Sequence, residues 1–295
     1  IPGLSRARIQ EWIGAGLVRV DGATVTRPAL RPGPDAEVEV LLPGARPCLP
    51  PVAQDIPLSI LFEDDWLLAV DKPPGIVAHP TKGHADGTLV NALLWHLGKA
   101  EGGAGLLNRL DKGTSGVMLV AKVPEIHGRL ARVLGTRAVE KEYLAVVYGP
   151  VPLPKGRIDR RILRDPRDPR RRTTSRTEGK EASTLWERLA ESDTGDPGIA
   201  LLRCRLLTGR THQIRVHLQA EGMPVVGDPI YGEPRWRGLR DPALAAACRD
   251  FPRQALHARR LCFPHPVTGG TIEVIAPVPE DLEGLLEAAG LGCAP

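Results

Sequence analysis

Apolar positions along this chain switch between two periods, and the switches mark out its elements. Ile9, Trp12 and Ile13 recur at helical spacing between Ser5, a candidate N-cap, and Gly16, a candidate stop, so residues 5–16 read as a short helix. Residues 17–20 and 23–26 flank Asp21-Gly22, a two-residue hairpin signal. Residues 38–42 read as another strand. Five prolines then fall between Pro43 and Pro57. Proline stiffens a chain and blocks regular structure, so a boundary is placed here. The expected division is a small front domain over 1–47, a linker over 48–57 and a large domain over 58–295.

Residues 58–62 and 66–70 read as two strands around Glu63-Asp64-Asp65, a solvated turn whose successive side chains diverge. Leu89, Leu93 and Leu97 share one face of a helix over 88–97, which Gly98 can cap. Val117-Met118-Leu119-Val120-Ala121 is an unbroken apolar run, the mark of a buried strand. A helix over 124–134 carries a stripe of Ile126, Leu130, Val133 and Leu134, with Pro124 in its first turn. Residues 143–148 read as a strand. Residues 200–207 alternate, with Leu202, Cys204 and Leu206 inward and Arg203 and Arg205 outward. Ile214 and Leu218 share a face of a helix over 211–221, and Arg215 lies off that face. A strand over 272–276 and a helix over 280–289 close the pattern. This irregular mixture of hairpins and helices argues against a doubly wound sheet.

Composition adds bounds. With 295 residues, 42% of them apolar, a sizeable core is available. A net charge of +4 permits a polyanionic partner without demanding one. The distribution of arginine says more. Residues 157–176 hold nine arginines against Asp159, Asp165 and Asp168. Pro166 and Pro169 argue that this segment is a loop. A charge run is usually a solvated face, yet arginine also grips phosphate in a bidentate fork. The five cysteines form no C-x-x-C pair, which fits a reduced cytoplasm. No apolar run reaches a membrane span, and no signal peptide is visible. The chain starts at Ile1 rather than Met, so an incomplete N-terminus is expected.

Candidate chemistry centres on Asn108-Arg109-Leu110-Asp111-Lys112-Gly113-Thr114-Ser115-Gly116, just before the apolar run. Asp111 would stand on a loop at the mouth of a strand, between Arg109 and Lys112. Nearby cations favour the charged form of an acid. Such a carboxylate suits a nucleophile or a general base; a turn-capping Asp is the bland alternative. Tyr143 opens a strand beside Lys141, where a core aromatic with a bonded hydroxyl is the usual outcome. His212 and His217 are five apart, a poor helical spacing for sharing a metal, and read as packing or hydrogen-bonding residues. The sequence shows no zinc spacing, Gly-rich phosphate loop or dinucleotide fingerprint.

Arg109-Leu110-Asp111 with Thr114-Ser115-Gly116 resembles the catalytic motif of the RluA-type pseudouridine synthases. Three further stretches fit that family in order: Asp71-Lys72-Pro73-Pro74-Gly75, Lys141-Glu142-Tyr143-Leu144-Ala145, and Gly209-Arg210-Thr211-His212-Gln213-Ile214-Arg215-Val216-His217. Gly227-Asp228-Pro229-Ile230-Tyr231-Gly232 and Arg253-Gln254-Ala255-Leu256-His257-Ala258 resemble the subgroup acting on large-subunit ribosomal RNA. The family has His where this chain has Asn108. The front segment is similar to the small RNA-binding domain first named from ribosomal protein S-four.

The resemblance implies an α+β fold. A large mixed, mainly antiparallel sheet would be crossed by the active cleft and preceded by a small α/β-hairpin RNA-binding domain. It implies isomerisation of uridine to pseudouridine without a cofactor or metal. The N1–C1′ bond breaks, the base turns, and C5 rejoins C1′. Asp111 would be the catalytic carboxylate. Tyr143 would pack on the flipped base, with proton removal at C5 as a further role. Arg215 would pair with Asp111. Expected RNA contacts are Arg6, Arg8, Asn108, Arg109, Arg164, Arg170, Arg171, Arg172, Arg210 and His212. The expected partner is RNA, above all large-subunit ribosomal RNA, bound by a cytoplasmic monomer with no membrane role. Two rivals remain. A glycoside hydrolase needs a second carboxylate, which none of the four motifs supplies. A non-catalytic RNA-binding or ribosome-assembly factor would need no Asp111, Tyr143 and Arg215 together.

Overall fold

A computed structural model of the chain describes residues 6–30, 32–33, 36–40, 50–81, 84–100, 104–136, 138–192 and 198–292. It divides into two units, Ile1–Pro50 and Pro51–Pro295. In the first, helix α1 (Arg6–Gly14) precedes strands β1 (Val18–Val20), β2 (Ala23–Val25) and β3 (Val38–Val40). They pair antiparallel in the order β2-β1-β3. Asp21 and Gly22, with φ of 50° and 77°, both take the left-handed geometry that a tight hairpin turn demands. The expected N-cap Ser5, and the side chains of Arg6 and Arg8, lie outside the described residues.

The second unit is built on one sheet of ten described strands. Its main path runs β4 (Ser59–Glu63), β5 (Leu67–Lys72), β7 (Ser115–Ala121), β14 (Leu256–Pro264), β8 (Glu140–Tyr148), β13 (Ile199–Leu206), β12 (Ser183–Glu191) and β9 (Lys155–Asp159). β6 (Gly105–Leu106) pairs with β7, and β15 (Thr271–Ile275) with β14. Neighbours are antiparallel except β7 and β14, which run parallel. The sheet is therefore mixed and mainly antiparallel, as the resemblance implied.

The unbroken apolar run of β7 has a simple cause: both of its faces are covered. Val117 and Leu119, with Leu67 and Ala69 of β5, meet α3 (Pro124–Leu134) through Ile126, Leu130 and Leu134. Met118 and Val120, with Leu68 and Val70, meet α2 (Leu89–His96) through Leu89, Leu93 and Leu94. Further along the sheet, Val146, Leu201 and Cys204 share a core with α4 (Gln213–Ala220), α5 (Pro242–Asp250) and α6 (Glu280–Ala288).

Several sequence expectations need correction. The arginine segment is mostly strand rather than loop. It supplies β9, then β10 (Arg161–Arg164) and β11 (Arg172–Ser175), which form a separate antiparallel hairpin. Ile158 and Ile162 are its buried anchors, and the charges around them hide the alternation. Pro166 and Pro169 fall in the turn, where Asp165 and Asp168 each accept a backbone N–H from two residues on. β12, β14 and α5 were not expected at all. Yet α5 carries a plain start signal: the Asp241 carboxylate accepts from Ala243 N at 2.8 Å, with Pro242 in the first turn. The helix expected over 211–221 begins only at Gln213, because His212 is held at φ 58°.

Candidate active site

Asp111 lies in the loop entering β7, and that loop is clamped from three directions. From β5, the fully buried Lys72 donates to the carbonyls of Pro73 (2.7 Å), Ile76 (3.1 Å) and Lys112 (3.2 Å). Burial pushes its pKa down to about 8. From the segment entering β14, Arg253 donates to Gly113 O at 3.0 Å and Gln254 to Thr114 Oγ1 at 2.9 Å. Arg253 is itself gripped by both oxygens of Asp281, at 2.6 and 2.7 Å. His257 Nδ1 meets Ser115 Oγ at 2.9 Å. Its Nε2 lies 3.4 Å from Ala276 O. A carbonyl can only accept, so the ring proton sits on Nε2 and Ser115 donates to Nδ1.

Asn108 is the third clamp. Its Nδ2 donates to Val117 O at 3.0 Å, and its Oδ1 accepts from Leu119 N at 2.8 Å. Both polar ends of the amide are engaged on the β7 backbone, and the residue also lines the pocket over Asp111. Gly116 completes the entry, at φ 110°. A Cβ there would stand 2.2 Å from Ala258 O, so the parallel pairing of β7 with β14 requires glycine.

Arg215, only 3% exposed, bonds two carboxylates. Its Nη1 holds Asp111 Oδ2 at 2.7 Å. Its Nε and Nη2 hold the Asp228 oxygens at 2.6 and 2.7 Å. Burial opposes charge on Asp228, but Arg215 and the N–H groups of Tyr231 and Ile230 outweigh it and hold its pKa below the usual carboxylate range. Asp228 thus fixes the guanidinium, and the guanidinium fixes one oxygen of Asp111. The other oxygen has no hydrogen-bond partner among the described residues.

That Oδ1 lies 3.8 Å from His212 Nε2. The His212 proton can be placed. Arg172 N donates to the Tyr231 hydroxyl at 2.6 Å, so the hydroxyl gives its own proton to His212 Nδ1, 2.9 Å away. Burial lowers the His212 pKa, as do Arg215 and Arg172, against Asp111. The ring is therefore neutral near pH 7 and presents Nε2–H towards Asp111. Its backbone conformation, disfavoured for a side chain other than glycine, provides that aim. The Tyr231 ring also packs against the guanidiniums of Arg215 (5.1 Å) and Arg171 (5.3 Å).

A cavity of about 380 Å³ opens over Asp111, lined also by Tyr143, Arg109, Arg210, His212 and Arg215. Among the described residues the Tyr143 hydroxyl has no hydrogen-bond partner, unlike an ordinary core tyrosine. Burial, then Asp111, raises its pKa, so the phenol stays protonated and is a poor base. Arg109 is exposed at the rim. The remaining expected RNA contacts divide. Arg170 is engaged by both oxygens of Asp168. Arg164 donates to Pro169 O and Arg210 to Glu181 O, and both side chains are exposed. Arg171 and Arg172 reach the site through Tyr231. His217 lies elsewhere, between Thr184 Oγ1 at 2.9 Å and Arg160 O at 3.0 Å. Asp228, Tyr231 and Lys72 were missed as site residues. Their signals were an acid three residues before a tyrosine in a glycine-flanked turn, and a lysine inside an apolar strand.

One pinned carboxylate, an aromatic and three arginines around a single small pocket are the class of site that suits an enzyme acting on an anionic substrate. Comparison with known proteins narrows this. The family model described as RNA pseudouridylate synthase matches residues 66–220. Ribosomal large subunit pseudouridine synthase D of Xanthomonas campestris pv. campestris is 46% identical over 292 residues, covering 97% of this chain and 85% of that protein. The Pseudomonas aeruginosa protein of the same name is 40% identical, covering 97% and 88%. The solved structure of human RNA pseudouridylate synthase domain containing 1 aligns at a TM-score of 0.62 and 28% identity, covering 80% of this chain and 89% of that one. The chain belongs to the RNA pseudouridylate synthase family.

Proposed function

We propose that this protein isomerises uridine to pseudouridine in large-subunit ribosomal RNA, with Asp111 as its catalytic carboxylate. The observation that carries the proposal is the state of Asp111: one oxygen pinned by buried Arg215, the other open to a pocket beside Tyr143. The names of the two bacterial relatives support ribosomal RNA as the substrate. The target nucleotide leaves its stack, at a cost of a few kcal/mol. Its base packs on Tyr143. Asp111 acts on the ribose, the N1–C1′ bond breaks, the base turns, and a C5–C1′ bond forms. C5 loses a proton and N1 gains one, so substrate and product are isomers. Exposed Arg109 and Arg210 hold flanking phosphates. No helix among the described residues is long and apolar enough to cross a membrane, which is compatible with a cytoplasmic setting.

Pseudouridine-specific sequencing of ribosomal RNA tests this. A strain lacking the gene should lose one or more large-subunit sites. The parent gene should restore them and Asp111→Asn should not. Full restoration by Asp111→Asn would instead identify a non-catalytic assembly factor.

A further inference from the structure

A second cavity adjoins the Asp111 pocket. Its volume is about 710 Å³, and both cavities have Lys141 and Leu206 in their walls. Lys141 precedes Tyr143 by two residues on β8, so their side chains leave the strand on one face. A chain entering the first pocket would therefore pass the second.

Five cations line this cavity against two carboxylates, Asp159 and Glu181. Three of the cations are already engaged: Arg157 by Asp159 at 2.7 Å, Arg161 by Glu181 at 2.8 Å, and Arg160 by Glu221 at 2.8 Å. Arg176 and Lys141 have no carboxylate partner among the described residues. Lys141 donates only to Leu134 O, at 2.9 Å, and burial holds its pKa below the ordinary lysine value. A partly buried cation without a counter-ion favours any anion that reaches it. Leu134, Val139 and Leu207 add apolar surface, and Leu207 is 53% exposed, which is unusual for a leucine beside a charged cleft. Uncompensated cations beside apolar surface match a nucleotide, whose phosphate and base need one each. The volume exceeds that of the pocket assigned to the target uridine.

We propose that this cavity is a second nucleotide site, receiving a residue of the RNA that flanks the target uridine. Its phosphate lies on Arg176 and Lys141 and its base against Leu207. The inference rests on RNA being the substrate, and its test separates the two.

The probe is a hairpin of large-subunit RNA spanning a uridine that the sequencing above identifies, made with one uncharged methylphosphonate linkage at successive positions. Affinity is measured for the parent protein and for Arg176→Ala, an exposed position where folding is not at risk. The parent should lose about fivefold to tenfold affinity at one linkage flanking the target, and Arg176→Ala should lose clearly less there, the remainder being the Lys141 contact. The single-turnover rate of Arg176→Ala at saturating RNA should stay within about threefold of the parent. A parallel series with single abasic sites should couple in the same way to Leu207→Ser. Losses that add independently at every position would overturn the second site, as would unchanged affinity in Arg176→Ala. A parent that binds with this coupling yet forms no pseudouridine would overturn the proposed reaction and leave the second site standing.

Discussion

Tyr231 links more parts of the site than any expected residue. It accepts from the arginine hairpin, donates to His212 and stacks on Arg215. Tyr231→Phe keeps the ring and removes the hydroxyl. The single-turnover rate should fall roughly tenfold to a hundredfold, with RNA affinity nearly unchanged, the pattern of an interaction used after binding. Loss of the donor to Nδ1 also makes His212 easier to protonate, so the acid limb of the pH–rate profile should move upward. A variant with a slower rate and an unmoved limb would show that the hydroxyl does not govern His212. At Asn108 the amide replaces a stretch of strand pairing. Asn108→Leu should cost about 2 kcal/mol in urea unfolding, because Val117 O and Leu119 N lose their partners. Asn108→His keeps a donor and an acceptor and should change the rate by less than about tenfold, or about 1.4 kcal/mol of barrier. The pairing of Asp111 with Arg215 was expected from the order of motifs and is present. Tyr231 and Asp228 were not, because their roles depend on distances between residues far apart in the chain.

Among elements, the β7–β14 pair places the catalytic loop. Pairing His257 with Ser115 and Ala258 with Gly116 brings Arg253 and Gln254 over the loop carbonyls and hydroxyl. Gly116→Ala collides with the Ala258 backbone and forces a side chain into a left-handed conformation. It should destabilise the protein by more than about 3 kcal/mol and abolish activity. An active variant within about 1 kcal/mol of the parent, judged by urea unfolding, would mean that this pairing is not needed. Elements with one clear signal, the helical stripe of α3 or the unbroken apolar run of β7, were legible from pattern alone. The arginine segment was not, because its buried residues in β9 and β10 are two isoleucines set among guanidiniums. The prolines were read as marking the whole segment as loop, whereas their influence is confined to the turn between β10 and β11.

At the level of the whole molecule, buried histidines connect the fold to pH. Burial pushes the His257 pKa down to about 4, from an ordinary 6.5. Between those values the unfolded chain binds more protons than the folded one. Stability is therefore lost as pH falls from about 6.5 towards 4, by about 2 kcal/mol at pH 5 from this group. Urea unfolding at pH 7 and pH 5 should show that loss in the parent and a smaller one in His257→Gln. Equal losses in both would place the acid sensitivity elsewhere. The two-unit division coincides with a proline-rich stretch visible in the sequence, whereas the order of strands across the sheet was not legible. Apolar patterning says which face of a strand is buried, not which strand lies beside it.

The pairing of Ser115 with His257 joins positions 142 residues apart. A ribosome delivers the front of a chain first, and long-range pairing waits for its second partner. Asp111 is thus synthesised well before the strand that holds its loop, and before Asp281, which steadies Arg253. A product that terminates before Arg253 would carry Asp111 without any of the side chains by which β14 and its approach hold that loop.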